Sequence, residues 1–359
     1  MAAPARSLVS PTSSPLLERA LRDKLAQRSE TTGSLGELEP LAVRLGLIQN
    51  TLKPRLREPQ LVIFAADHGL AVDGIVERRS TREQVAQLLS GQMPAAVFAR
   101  IQGLDLTVVD AGVAEDLGAH DRLLMRKIAH GTRNARAGPA MSTEGAHAAI
   151  RAGMEIGDAL RGNAVACAGI GVGSDLSAAL VLAQLADVPV RDLLSSGLSS
   201  PSLGHLLAVA QGAQARHRGV ADPVEVLAAY GGFEMAMMAG LMLVTAGKRH
   251  LLLVDGMAAC AALMMAARIA PAVTDYCVFC RSHRHEGLDL ALHLFQAAAL
   301  LELGMQSTDG TGSALAWPLV KSAAALLTEV ADGQDPGPSR PGGGASVSGG
   351  IETIIIGGA

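Results

Sequence analysis

The stretch 164-AVACAGIGVGSD-175 carries the clearest signal for the fold. Its first five residues form a short apolar run, with the length and composition of a buried strand. Glycines at positions 169, 171 and 173 then favour a tight turn, and residues 176–186 are a mostly apolar segment long enough for a helix. The stretch therefore predicts a strand, a glycine loop and a helix in immediate succession.

The same alternation recurs along the chain. Further strands are predicted at residues 61–64, 106–110, 250–255 and 272–279, and helices at 81–100, 142–160 and 234–246. Ser142 is the expected N-cap of the helix that follows it. Strands that alternate with helices indicate a parallel sheet covered on both faces. We therefore predict an α/β fold with a parallel Rossmann-like sheet flanked by helices.

Composition narrows the classes of function. The 359 residues are 49% hydrophobic but only 2% aromatic, so the core must consist of small and aliphatic side chains. A net charge of −4 gives no reason to expect a nucleic-acid partner. Apolar runs stop short of the roughly 18 residues of a membrane span, and the polar N-terminus lacks a signal-peptide pattern. We expect a cytoplasmic protein that has no membrane partner.

Four cysteines, Cys167, Cys260, Cys277 and Cys280, raise the question of a metal site. Cys277 and Cys280 have the C-x-x-C spacing, and histidines follow close behind. Residues 277–279, however, are predicted to be a buried strand, which points alternate side chains to opposite faces. Reduced core cysteines are therefore favoured over a zinc site, and we expect neither a metal nor a cofactor.

The two ends of the chain differ in character from its middle. Residues 1–15 are predicted to be a disordered leader, and residues 58–312 to be the α/β domain. Residues 16–57 contain two amphipathic segments. Residues 333–359 are predicted to be a Gly/Pro-rich tail.

Polar residues follow several of the predicted strands, where parallel sheets place their ligand sites. Gly171, Gly173, Ser174 and Asp175 lie in the glycine loop and at the start of the helix behind it. Backbone N–H groups at such a place can hold a phosphate. Packing explains the glycines equally well, because their spacing is not the dinucleotide-binding fingerprint.

Three further candidates also have purely structural explanations. Asp67, in 67-DHG-69, either stabilises a turn or belongs to a polar cleft. His283 belongs to the loop 282-SHRHE-286, which is either a solvated charge cluster or part of a site. Asp309, in 308-TDGTG-312, is either a catalytic base or the cap of a helix predicted over 313–328.

Ordered motifs between residues 35 and 330 resemble the nicotinate-nucleotide:dimethylbenzimidazole phosphoribosyltransferase family. Among them are 64-FAADHG-69, 107-TVVDAGV-113, 131-GTRNARAGPAMS-142, 222-DPVEVLAAYGGFEMAMMAG-240 and 304-GMQSTDGTGSALAWPL-319. The resemblance implies transfer of the phosphoribosyl group of nicotinate mononucleotide to a nitrogen of dimethylbenzimidazole or a related aromatic base. The products would be nicotinate and α-ribazole phosphate, a precursor of cobalamin. The resemblance also implies a parallel sheet wrapped by helices, a homodimer, and a small helical domain in which residues 16–57 join about 313–332.

The resemblance implies a role for each candidate residue. Asp309 stands where the family carries a glutamate that acts as general base. Gln87 would form a wall of the slot for the aromatic ring, with Asp67 and His283 as supporting polar groups. The remaining candidates fall in two implied loops for the phosphate and the nucleotide: Gly171, Gly173, Ser174 and Asp175 in the first, and Ser196 and Gly197 in the second.

Several positions depart from the family pattern. Asp309 is one methylene shorter than glutamate, a second family acid aligns with Gly169, and the loop 195–199 lacks the family's arginine. Two hypotheses follow from these departures. The first is a transferase for a benzimidazole-type base. The second is a catalytically impaired paralogue that binds a ligand or serves as one subunit of a heteromeric transferase.

Overall fold

The computed structural model describes residues 8–75, 79–194, 199–281, 286–305 and 309–330. In these residues seven strands form one sheet, and every pair of neighbouring strands is parallel. The predicted α/β fold with a parallel sheet is therefore confirmed. The strands are β1 (Gln60–Ala66), β2 (Asp105–Gly112), β3 (Leu123–Met125), β4 (Ala164–Ile170), β5 (Leu251–Val254), β6 (Cys277–Arg281) and β7 (Ala299–Leu301).

The order of the strands across the sheet is β3-β2-β1-β4-β5-β6-β7. The chain builds outward from β1 through β2 to β3, and then crosses to the other side of β1 to add β4 and the later strands. Neighbouring strands β1 and β4 thus send their following loops in opposite directions. In open α/β sheets, this reversal opens a crevice at the carboxyl ends of the strands, where ligands bind.

Helices surround the sheet, and their placement follows from the chain order of alternating strands and helices. The described helices are α1 (Pro15–Thr32), α2 (Leu38–Gln49), α3 (Thr81–Leu89), α4 (Pro94–Gln102), α5 (Thr143–Ala159), α6 (Ser174–Ala186), α7 (Val190–Leu194), α8 (Ser200–Arg216), α9 (Pro223–Tyr230), α10 (Phe233–Gly247), α11 (Met257–Ile269), α12 (Glu286–Leu294) and α13 (Thr311–Thr328). Ser142 caps α5 as predicted, because its Oγ accepts a hydrogen bond of 3.0 Å from the Gly145 amide.

Two sequence-based predictions were wrong. The strand predicted over 272–279 is a 3₁₀ helix over Pro271–Tyr276, followed by β6, because Pro271 fixes a helical φ and its carbonyl accepts the Thr274 hydroxyl. The helix predicted over 81–100 is two helices, α3 and α4, because Pro94 starts a new first turn. The short strands β3 and β7 were not predicted.

Small side chains build the core, as the composition requires. Helices α5 and α10 cross at van der Waals distance through Gly153 and Gly240. A Cβ atom at Gly153 would lie 1.9 Å from the Met237 carbonyl oxygen, and one at Gly240 would lie 2.0 Å from that of Ile150. This close crossing fixes the N-terminus of α10 against the sheet, and with it Glu234.

The chain ends also pack on this framework. Val9 is fully buried, and the Tyr276 hydroxyl donates to the Ser10 carbonyl at 2.7 Å, so residues 8–14 of the predicted leader are held in place. Helix α13 packs against α1 and α2 but also against α4 and β6. The division into domains stays a prediction, and the predicted tail 333–359 lies outside the described residues.

Among the described residues, none of the helices combines the length and the apolar character that crossing a bilayer would need.

Candidate active site

The loops after β1 and β4 meet at the switch point of the sheet. A Cβ atom at Gly171 would lie 1.7 Å from the Ala66 carbonyl oxygen, and the φ of Gly171 is +153°. The His68 amide donates to the Val172 carbonyl at 3.2 Å. Glycine is therefore required at position 171 so that the two loops can approach each other. This contact supports the packing explanation of the glycine loop.

A buried acid connects three elements behind these loops. Glu234, in the first turn of α10, is fully buried, and its Oε1 is 2.8 Å from Nε2 of His68. The same oxygen accepts a hydrogen bond of 3.0 Å from the Ser174 hydroxyl, while Oε2 has no hydrogen-bond partner in the described residues. Glu234 thus fixes the start of α6 and the loop after β1 in one arrangement. Ser174 is one of the residues predicted to hold phosphate; its hydroxyl donates to Glu234, and the phosphate role of this loop stays a prediction.

Asp67 connects, through hydrogen bonds, the loops that follow β1, β2 and β4. Its Oδ1 accepts the Thr81 hydroxyl, and its Oδ2 accepts the Ala114 amide at 2.7 Å. Thr81 in turn accepts a hydrogen bond of 3.0 Å from the Val172 amide. Both carboxylate oxygens of Asp67 therefore position the surrounding loops, and a role in binding the aromatic base stays a prediction.

A second buried cluster lies at the carboxyl ends of β5 and β6. Asp255 accepts a hydrogen bond of 2.6 Å from Nε of Arg281 and one of 3.1 Å from the Ser313 amide. A Cβ atom at Gly312 would lie 2.6 Å from Cδ of Arg281, so α13 starts in close contact with this pair. Burial raises the pKa of Asp255, and Arg281 opposes the shift.

Asp309 belongs to the turn that starts α13. Its side chain is 8% exposed, and Oδ1 accepts both the Thr311 hydroxyl and, at 3.2 Å, the Thr311 amide. Gly310 between them has a φ of +86°. In this geometry the carboxylate of Asp309 organises the first turn of α13, which is the helix-cap explanation of Asp309 offered by the sequence. A role as general base stays a prediction.

Asp175 differs from these acids because its side chain is exposed. It lies in the first turn of α6, directly after the loop that packs on β1. The loss of water raises the pKa of Asp175, and the nearby charges of Arg281 and His68 oppose the shift.

The remaining predicted site residues are less central or fall outside the described residues. Gln87 lies in the last turn of α3, where its Oε1 accepts a hydrogen bond from Arg79. Ser196, Gly197 and His283 lie outside the described residues. Their roles stay predictions.

An open cleft of about 360 Å³ lies at the carboxyl ends of β1 and β2. Asp67, His68 and Val172 line it on the side of the switch point, and Ser80 and Thr132 are among the lining residues that complete it. The cleft is large enough for a flat aromatic ring or a sugar. Its lining comes from five different segments, so it exists only in the folded chain.

Sequence reasoning did not single out Glu234 and Arg281 as site residues, although both organise this region. The available signal for Glu234 was its position, an acid in the first turn of the otherwise apolar helix α10. A charged side chain is seldom buried without a partner, so such an acid indicates a buried polar contact. Arg281 is 3% exposed at the last position of β6, and its importance depends on Asp255, which precedes it by 26 residues.

A parallel doubly wound sheet with acids and hydroxyls at its switch point defines an α/β enzyme whose ligands bind at the strand ends. A family model described as phosphoribosyltransferase matches residues 11–337. The chain belongs to the nicotinate-nucleotide:dimethylbenzimidazole phosphoribosyltransferase family, which confirms the resemblance found in the sequence.

Relatives match nearly the whole chain. The nicotinate-nucleotide–dimethylbenzimidazole phosphoribosyltransferase of Cupriavidus taiwanensis is 42% identical over 324 residues, which are 88% of this chain and 92% of the relative. The protein of the same name from Variovorax paradoxus is 39% identical over 90% of this chain and 94% of its own. The crystal structure of the Thermus thermophilus protein of that description superposes with a TM-score of 0.83. It is 32% identical, and the match covers 91% of this chain and all of that one.

Proposed function

We propose that this chain transfers the phosphoribosyl group of nicotinate mononucleotide to a ring nitrogen of dimethylbenzimidazole or a related aromatic base. The products are nicotinate and α-ribazole phosphate, an intermediate of cobalamin synthesis. The observation that carries the proposal is 42% identity over 324 residues to a relative of that name. The polar cleft at the switch point supports it, because the reaction needs a place to align a flat ring with a sugar carbon.

The reaction requires few chemical groups from the protein. The nitrogen of the nicotinate ring is quaternary and positively charged in the mononucleotide, so it leaves as a neutral pyridine nitrogen when its bond to the sugar carbon breaks. The attacking imidazole must lose its N–H proton, for which a carboxylate is suited. The described carboxyl edge of the sheet provides several carboxylates, among which Asp309 is the one implied by the resemblance.

The test is product formation by the purified protein. Nicotinate mononucleotide is incubated with and without dimethylbenzimidazole, and nicotinate and the new riboside phosphate are separated by chromatography. We expect equal amounts of both products, and release that depends on the added base. If the mononucleotide raises the melting temperature but no base releases nicotinate, the chain binds the substrate without transferring it, and the proposal is wrong.

A homodimer and a cytoplasmic location are further parts of the proposal. The homodimer rests on the family resemblance, and the cytoplasmic location rests on the biosynthetic activity of the family. Sedimentation of the purified protein measures the first, and fractionation of the source cells measures the second. A monomer that transfers the phosphoribosyl group at full rate would contradict the homodimer.

A further inference from the structure

One buried ion pair contacts the chain on both sides of Asp309, the acid that the resemblance implies as general base. Arg281, the last residue of β6, donates from Nε to Oδ1 of Asp255 at 2.6 Å, and both side chains are buried. Nη1 of Arg281 donates to the Met305 carbonyl at 3.0 Å. Oδ2 of Asp255 accepts the Ser313 amide at 3.1 Å. The pair therefore holds the chain both before and after Asp309.

The first turn of α13 connects this pair to the side chain of Asp309. A Cβ atom at Gly312 would lie 2.6 Å from Cδ of Arg281 and 2.8 Å from Oδ1 of Asp255, so the helix start rests directly on the pair. Thr311, the preceding residue, donates its amide and its hydroxyl to Oδ1 of Asp309. A displacement of the pair would therefore displace Thr311, and with it the carboxylate.

We propose that Arg281 is a positioning residue for the transfer, because through Asp255 it holds the carboxylate of Asp309 where the aromatic base loses its proton. The inference rests on the proposed function. In that reaction the lone pair of one ring nitrogen bonds to the anomeric carbon, and the electrons of the bond to nicotinate return to the pyridine nitrogen. The N–H proton of the other ring nitrogen passes to Asp309. Arg281 contributes geometry only, and misplacing a catalytic group by about 1 Å can cost about 100-fold in rate.

The chemistry of the pair indicates a role beyond stability. Burying two charges carries a desolvation cost, so apolar residues of similar size often stabilise a core as well as a buried ion pair does. What the pair supplies is direction. The planar guanidinium of Arg281 donates from two nitrogens, at a fixed angle, to Asp255 and to the Met305 carbonyl.

The charges around the pair determine how pH should act on the variants. The charged and titratable groups that act on Arg281 or Asp255, or on an acid beside them, are Asp309 before α13, Asp175 of α6, His68 after β1, Cys167 of β4, Cys260 of α11 and Cys280 of β6. Burial raises the pKa of all three thiols, so they are neutral near neutral pH. Removing the cation of Arg281 should favour the protonated forms of the neighbouring acids.

The experiment measures kcat and KM against pH, with melting temperatures, for variants of the full chain. Arg281→Met is expected to lower kcat about 100-fold and to change KM for nicotinate mononucleotide little. The acid limb, where activity is lost as the pH falls, should move to higher pH because a cation beside the base is gone. Arg249→Met is the matched control and should keep both kcat and the limb. Its Nε and Nη2 also donate to two carbonyls, those of Ile48 at 2.9 Å and Leu47 at 2.7 Å, but at the amino end of β5.

A double variant, Arg281→Met with Asp255→Asn, separates positioning from charge and from stability. It removes both charges together, so no uncompensated acid stays buried, and its melting temperature should exceed that of Arg281→Met. The acid limb should return to its position in the unmodified chain, since the net charge beside Asp309 is restored. Its kcat should stay low, because the connection to the Met305 carbonyl is still absent. Full kcat in the double variant would make the pair purely structural and overturn the inference.

The other outcomes separate this inference from the proposed function. If Arg281→Met keeps full kcat, or if Asp309→Asn keeps the acid limb, the inference is wrong and the proposed function stands. If the unmodified chain releases no nicotinate, the proposed function fails and the inference with it. Should Arg281→Met melt below the assay temperature, the double variant decides, because low kcat in a folded chain supports the inference and full kcat refutes it.

Discussion

Replacing the buried Glu234 with alanine should destabilise the protein. The alanine removes the acceptor of two buried hydrogen bonds, one to the His68 ring and one to the Ser174 hydroxyl. Hydrogen bonds to a charged group contribute about 1.5–3 kcal/mol each. Removing one partner of a buried pair costs about 3–5 kcal/mol.

The structure places the expected loss at the lower end of this range. The second oxygen, Oε2, has no hydrogen-bond partner in the described residues, so it adds a desolvation cost to the native protein without a bond in return. We therefore expect Glu234→Ala to lower the free energy of unfolding by about 3 kcal/mol. Glu234→Gln keeps a carbonyl oxygen that can still accept hydrogen bonds, and should cost about 1 kcal/mol.

Urea titration measures both values. The single tryptophan, Trp317, is 2% exposed, so its fluorescence reports loss of the core, and circular dichroism gives a second probe. Glu225→Ala, an exposed acid in the first turn of α9, is the control and should stay within about 0.5 kcal/mol. A loss below about 1 kcal/mol for Glu234→Ala, or equal losses for alanine and glutamine, would refute the reasoning.

Three further outcomes are expected. Gly171→Ala should prevent stable folding or greatly lower the free energy of unfolding, because the new Cβ atom would overlap the Ala66 carbonyl oxygen. A Cβ atom at Gly204 would lie in open space, so Gly204→Ala should be neutral or stabilising in the same urea titration. Cys167 and Cys260 have pKa values raised by burial to about 12, so in the native protein they should resist a thiol reagent at pH 8, and react after unfolding. Fast native labelling of these two would contradict their burial. The pKa of exposed Glu144 is lowered by the backbone amide and by Ser142, so its stabilising effect should be present above pH 4.5 and be lost as the pH falls through the lowered value. Urea titrations of Glu144→Gln between pH 3 and pH 6 measure this loss, and a variant that tracks the unmodified chain would contradict it.

The sequence by itself determined the elements whose signal is local. Residues 164–186 predicted a strand, a glycine loop and a helix, and β4 and α6 occupy these positions because an apolar run and a glycine turn act over a few residues. Where a local rule was missed, the prediction failed, as at Pro94, which starts α4, and at Pro271, which starts a 3₁₀ helix. The short strand β7 carried too little periodicity to be recognised.

Only the tertiary structure decided how the polar residues are used. His68 and Glu234 are separated by 166 positions, and their 2.8 Å contact exists because α10 crosses α5 closely and brings its first turn under the switch point. The same folding buried Asp309 in the turn that starts α13 and left Asp175 exposed, although both acids lie within two residues of a glycine in the sequence. Burial and hydrogen bonding depend on segments that are far apart along the chain, so a local pattern can supply an acid but cannot say whether it faces the core or a ligand.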